Sequence, residues 1–266
     1  MSQLKSKSPN LMLIIALVAL PLLGGCVDRQ SDTLDNLKEY SAWSVGYVAP
    51  TYYPVDIRSI DPTDNEGNSI TEIGAQVPSV GETLKEVRQY FPHYDGYALP
   101  VDMLTFQTRR QLGIGTKVLP DMITIHWVSL INVKFYETRL KITKSIKQKI
   151  NKTILVRLIW SPDTVVKCHY SHFIFGFIPN GDVKVWLGGC SQLDYIETLK
   201  PYKIEHQGAN DFLRKMYKKE LQQTMFKHFK KIGYPNPLPI QWDKIDKVLK
   251  RKYIGNGQWK TVEGTH

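Results

Sequence analysis

Residues Met122–Glu137 read MITIHWVSLINVKFYE, and their periodicity sets the fold class. Ile123, Ile125, Trp127, Ile131, Val133 and Phe135 share one parity, interrupted only by Ser129. Met122, Thr124, His126, Val128, Leu130, Asn132 and Lys134 form a mixed opposite face. A period of two, rich in β-branched and aromatic residues, predicts a strand with one face in a core and the other partly covered. It is read either as one long strand or as two separated by a bulge near Ser129.

The flanking segments carry the same signal. HFIFGFI (172–178) and DVKVWL (182–187) enclose Pro179-Asn180-Gly181, and Asn-Gly suits a two-residue type I′ turn. That turn predicts pairing of Phe175 with Trp186 and of Ser171 with Cys190. Upstream, Trp43, Val45, Tyr47 and Ala49 alternate with smaller or polar residues, and Tyr53, Val55 and Ile57 mark a second strand. Asp61–Asn68 is dense in turn formers and predicts an exposed loop. Ser79-Val80-Gly81-Glu82 fits a capping box opening a helix with Val80, Leu84, Val87 and Phe91 on one face, stopped by Pro92. Leu99–Phe106 is a further strand, Ile142, Ile146 and Ile150 stripe a short helix, and Thr153–Trp160 reads as a buried strand.

The last quarter is different. Leu213, Met216, Tyr217, Leu221, Met225, Phe229 and Ile232 recur at helical spacing, with Asn210 or Asp211 as cap and Gly233 as terminator. A second helix is predicted to carry Trp242, Ile245 and Leu249 inward. Residues 200–266 hold 15 Lys or Arg against 6 Asp or Glu, so most of the net charge of +10 sits there. The expected fold class is therefore α+β: a largely antiparallel β-sheet or sandwich (43–207) followed by a helical region (208–266) of basic amphipathic helices packed on it. With 42% hydrophobic and 23% charged residues the chain has the composition of a globular protein.

The N-terminus supplies a destination. Lys5 and Lys7 precede the apolar run Leu11–Leu23, which is short for a bilayer-spanning helix. Leu23-Gly24-Gly25-Cys26 follows, and it resembles the lipobox of bacterial lipoproteins. That resemblance implies a signal peptide over residues 1–25, acylation (palmitate) of Cys26, and a polar tether over residues 26–42. No second long apolar run follows, so the lipid is expected to be the membrane anchor. Val27 rather than aspartate after Cys26 points to the outer membrane, with the domain facing the periplasm. Export makes nucleic acid an unexpected partner.

Trp43-Ser44-Val45…Ala49-Pro50…Tyr53-Pro54-Val55, Ile125-His126-Trp127-Val128-Ser129-Leu130…Lys134-Phe135-Tyr136 and Gly176–Leu187 (GFIPNGDVKVWL) resemble the recurrent segments of an uncharacterised family of Gram-negative lipoproteins, a domain of unknown function. The likeness spans Trp43 to Gly189 and its motifs are structural. Genes of that family often lie beside type VI secretion phospholipase toxins, so the resemblance implies an immunity protein that binds and blocks such a toxin. No cofactor is implied beyond the lipid on Cys26.

Chemistry is sparse. Cys168 and Cys190 suit a disulfide in an oxidising compartment. Together with His169 and His172 they also offer four zinc ligands, although adjacent Cys168 and His169 point to opposite strand faces. His93, Asp95 and His126 could act as acids or bases, but neither a G-x-S-x-G elbow nor an H-E-x-x-H helix accompanies them. We therefore expect a binding protein and no enzyme, a hydrolase with a scattered site being the weaker reading. Two functions compete: an immunity protein, and an envelope-maintenance lipoprotein. The second would hold anionic lipid or another envelope component through Lys215, Lys218, Lys219, Lys227, Lys230, Lys231, Lys247, Lys250 and Arg251.

Overall fold

The computed structural model describes residues 43–70, 77–79, 83–102, 107–110, 118–158, 161–189, 192–205, 211–235, 238–256 and 258–266. Strands β1 (Ser44–Val48), β2 (Val55–Thr63) and β3 (Val77–Ser79) precede helix α1 (Leu84–Val87), then β4 (Leu99–Pro100), β5 (Gln107–Arg110), β6 (Met122–Ser129) and β7 (Lys134–Lys141). Helix α2 (Lys144–Asn151) leads to β8 (Ile154–Leu158), β9 (Ser161–Cys168), β10 (His172–Phe177), β11 (Val183–Gly189), β12 (Gln192–Leu199) and β13 (Lys203–Glu205). A helical run follows, α3 (Asp211–Met216), a π segment (Tyr217–Gln222) and α4 (Gln223–Lys231), before β14 (Val248–Gly255) and β15 (Gln258–Gly264).

Two five-stranded sheets carry the fold, in the orders β12-β11-β10-β1-β5 and β13-β7-β6-β2-β3. All their pairings are antiparallel except β1 with β10. The sheets face each other across an apolar layer. Trp43 just before β1, Val45 and Tyr47 of β1, and Phe173, Phe175 and Phe177 of β10 meet Ile123, Ile125 and Trp127 of β6. Trp127 and Phe177 stack edge-to-face with ring centroids 4.8 Å apart. This is the α+β, sandwich-like class that the period-two segments predict. Ile142, Ile146 and Ile150 close one end of the layer, with Thr143 capping α2.

The Met122–Glu137 stretch is a hairpin, which corrects the reading of one strand or a bulged pair. The chain reverses at Leu130–Val133, where Val133 adopts φ 49°. Paired residue numbers then sum to an odd value, as in Ile125 with Thr138 and Trp127 with Tyr136. An odd inward set on β6 therefore demands an even inward set on β7. Tyr136 and Leu140 enter the inter-sheet core, while Phe135 opposes Val128 on the other face.

The β10–β11 hairpin also differs from its expected register by one residue. Phe175 pairs with Val185 and Ile174 with Trp186, so Pro179-Asn180-Gly181 is a three-residue loop. Gly181 at φ 102° supplies the left-handed position, and its amide donates to the Ile178 carbonyl (3.0 Å). Pro179 starts such a loop well, because its fixed φ suits the first central position of a type I turn. The single-residue shift puts Trp186 in the second core and Val185 in the first.

That second core collects the opposite parity (Val48, Ile174, Trp186, Val128, Phe135) and is covered by α1, the helical run and the C-terminal segment. The capping box belongs to Thr83 and Glu86, four residues after the one read from the sequence. Thr83 Oγ1 accepts from the Glu86 amide (3.3 Å) and Glu86 Oε2 accepts from the Thr83 amide (2.7 Å). Ser79 is instead paired with Val55 in β3. Asp61, Pro62 and Thr63 extend β2 rather than opening a loop, so the turn is confined to Asp64–Asn68.

The second predicted C-terminal helix is a β-hairpin. Val248–Gly255 pairs antiparallel with Gln258–Gly264 and parallel with Leu99–Pro100. Ile245, Val248 and Leu249 are buried, a run that satisfies a strand as readily as a helix once a partner edge is offered. Trp242, expected inward, is 60% exposed.

Candidate functional site

Among the described residues, the side chains expected to do chemistry are dispersed. His172 Nδ1 is hydrogen-bonded to Ser44 Oγ on the neighbouring strand, and burial pushes its pKa below the ordinary 6.5. His126 Nε2 lies 3.8 Å from Asp61 Oδ2. His93 and Asp95 border a cleft of about 290 Å³ with Lys244, Lys247 and Glu263. There Lys244 Nζ donates to Asp95 Oδ2 (2.8 Å), and Lys247 pairs with Glu263 (2.7 Å). Burial raises the Asp95 pKa, but the Lys244 hydrogen bond and the Tyr97 amide outweigh it and hold the carboxyl below its ordinary value. The cleft is thus lined by charges that already neutralise one another.

Cys168 is disulfide-bonded. Cys190, its expected partner, lies outside the described residues, as does Cys26. Gly189, immediately before Cys190 in the chain, packs against the backbone of His169 and Tyr170. Disulfide sulfur is no zinc thiolate, so Cys168 is not available to the metal reading. No cluster of three or more metal-ligating side chains occurs among the described residues.

The basic segment divides into two sets. Lys247 is tied to Glu263, as above. Lys250 is half-buried, and burial lowers its pKa from the usual 10.5. Arg251 donates from Nε and Nη2 to Asp102 (2.7 and 2.9 Å) and lies over the rings of Trp259 and Tyr90. Arg251 thus holds the C-terminal hairpin to the body through Asp102, while the Lys247–Glu263 pair lies within the C-terminal segment. By contrast, Lys215, Lys218, Lys219, Lys227, Lys230 and Lys231 are all exposed and make no ion pair among the described residues.

The opposite face of the helical run explains that exposure. Tyr217, Met225 and Phe229 are buried, and Tyr217 stacks on Phe135. The Tyr217 hydroxyl donates to Asp56, and Gln222 Nε2 donates to the carbonyls of Leu130 (3.0 Å) and Ile131 (2.8 Å). Both polar ties come from the π segment. They fix the rotation of the helix, and with it the direction of the lysines.

Sequence reasoning misread one surface. Thr153–Trp160 reads as a buried strand in sequence, but among the described residues β8 pairs only with β9, as a two-stranded ribbon beside the sandwich. Ile154 packs on the inter-sheet core, whereas Leu155 is 68% and Val165 49% exposed. Leu155 pairs with Lys167 and Val165 with Arg157, so the two apolar residues share the odd, outward face. The signal was ambiguous, because a short apolar run does not reveal whether a second layer covers it.

Fold and surfaces together define a two-sheet α+β sandwich carrying an apolar ribbon and a lysine-rich helix. The chain belongs to the family described as Protein of unknown function (DUF2931), which matches residues 30–237. The match takes in the helical run as well as the sandwich, and so reaches beyond the Trp43–Gly189 segments that carry the resemblance in sequence. No curated protein and no solved structure matches the chain. No helix among the described residues is long and apolar enough to cross a membrane.

Proposed function

We propose that this chain is a lipid-anchored periplasmic protein that acts by binding: an immunity protein that neutralises a type VI secretion phospholipase effector. The observation that carries the binding reading is the β8–β9 ribbon. Among the described residues the two-stranded ribbon joins neither sheet of the sandwich, and with Leu155 and Val165 facing outward it is an uncommon thing to leave uncovered. Its outward face offers a partner two apolar anchors. The effector class comes from the resemblance to lipoproteins encoded beside such toxins, and the compartment from Lys5, Lys7 and Leu23–Cys26.

In this reading the ribbon occludes the effector stoichiometrically, without turnover and without a cofactor other than the lipid on Cys26. Anchoring at the outer membrane confines the inhibitor to the lipid surface that the effector attacks and so raises its local concentration. We assign the disulfide of Cys168 to Cys190, which ties the end of β9 to the end of β11.

The test is co-purification of the full chain with a candidate type VI secretion phospholipase effector from the same genome, in wild type and in Leu155→Asp/Val165→Asp. Both positions are exposed, so the double variant keeps its fold and its thermal midpoint. Loss of the complex in the variant supports the ribbon as the docking element. An undiminished complex removes the ribbon from the account.

A further inference from the structure

The helical run Asp211–Lys231 carries a second surface, independent of the ribbon and of the partner's identity. Phe212, Lys215, Lys219, Lys227 and Lys231 recur at spacings of three, four or eight residues, with Lys230 beside them, and each is exposed. Phe212 is 78% exposed, the largest value among the exposed hydrophobic residues of the described chain. At the other end Ile232, just past the last lysine, is 40% exposed. From Lys215 to Lys231 the row runs about 24 Å at the helical rise. Glu220 is the one exposed acidic residue within that span.

We propose that this face seats the folded domain on an anionic phospholipid surface, with the lysines against headgroup phosphates and Phe212 entering the interfacial layer. Three observations favour a bilayer. The lysines lack carboxylate partners within the described protein, so their charge is uncompensated on one side of the molecule. They lie along the convex back of a single helix, which fits a plane better than a cleft. An aromatic ring projects from the same row, and such rings sit favourably at headgroup level. The apolar side of the helix is locked into the protein by Tyr217, Gln222, Met225 and Phe229, so the helix lies on the membrane without inserting. A lysine-to-phosphate contact is worth roughly a fivefold change in surface affinity per residue, and it is screened by salt.

The test is amine footprinting of the full chain reconstituted on vesicles, read by mass spectrometry at each lysine. One set of vesicles contains phosphatidylglycerol, the other phosphatidylcholine alone, and a third arm adds a single-stranded oligonucleotide without vesicles. Lys252 and Lys260, exposed on the C-terminal hairpin, are internal controls. We expect Lys215, Lys219, Lys227, Lys230 and Lys231 to be modified about fivefold more slowly on phosphatidylglycerol vesicles, with the controls unchanged and the protection abolished in 1 M salt. Lys219→Glu/Lys227→Glu should keep its thermal midpoint and lose protection at the remaining row lysines. Equal modification on both vesicle types, protection that includes the controls equally, or protection by the oligonucleotide alone overturns the proposal. Since no effector is present, its outcome is separate from that of the immunity reading.

Discussion

Arg251 and Asp102, 149 residues apart in sequence, meet through two hydrogen bonds of 2.7 and 2.9 Å with both side chains largely buried. The pair fastens β14 to the segment after β4, where backbone hydrogen bonds from Leu99 and Val101 to Lys247 and Leu249 run beside it. Removing one partner strands a buried charge. Arg251→Ala or Asp102→Ala should each cost about 3 kcal/mol in denaturant unfolding, and the double variant should cost much less than their sum. An additive double variant would show that the pair is not coupled.

Two glycines separate backbone strain from steric clash. A Cβ at Gly181 would lie 2.5 Å from Tyr136 and 2.7 Å from Pro201, at φ 102°. At Gly67, φ 85°, no described residue would lie within 4 Å of it. Gly67→Ala should therefore cost about 1 kcal/mol, the price of the left-handed backbone alone, and Gly181→Ala clearly more. Equal costs in thermal unfolding would mean that the β10–β11 loop relaxes freely.

Ser129 is 1% exposed, and its hydroxyl has no hydrogen-bond partner among the described residues. A buried unsatisfied hydroxyl is a liability, so Ser129→Ala should be neutral or stabilise the protein by up to about 1 kcal/mol. Destabilisation by that amount would reveal a partner for the hydroxyl.

Half-buried His172 resists protonation, so its folded pKa lies below the ordinary 6.5. An unfolded chain then binds the proton more readily than the folded one. Stability should be full above about pH 6.5 and fall as the pH drops from there towards the folded pKa. His172→Gln should flatten that part of the stability–pH curve. Parallel curves for the two proteins would show that the imidazole is solvated in the fold.

Much of the sandwich was legible because its strands alternate. Trp43–Ala49, Met122–Ser129 and the β10–β11 segments each bury one parity against the other sheet, and that pattern is written locally. What failed was information that depends on a distant neighbour. The odd parity of Met122–Phe135 concealed a reversal at Leu130–Val133, because three of the four turn residues are apolar and none is Gly or Pro. Val248–Leu249 became strand only because Leu99–Pro100 offers an edge. Leu155 looked like core because nothing in its own segment says that no layer lies over it. The lysine row was visible in sequence, but only its contacts separate Lys215–Lys231, which faces solvent, from Arg251, which holds the fold.

The central claim is that the chain neutralises a phospholipase in the periplasm by binding it. The most direct measurement is survival of cells that export a candidate type VI secretion phospholipase effector from the same genome, with and without this protein beside it. The account predicts full rescue by the wild type and weaker rescue by Cys26→Ser. Leu155→Asp/Val165→Asp should give none although it accumulates to the same level. Cell death at the same rate with and without the wild-type protein would contradict it.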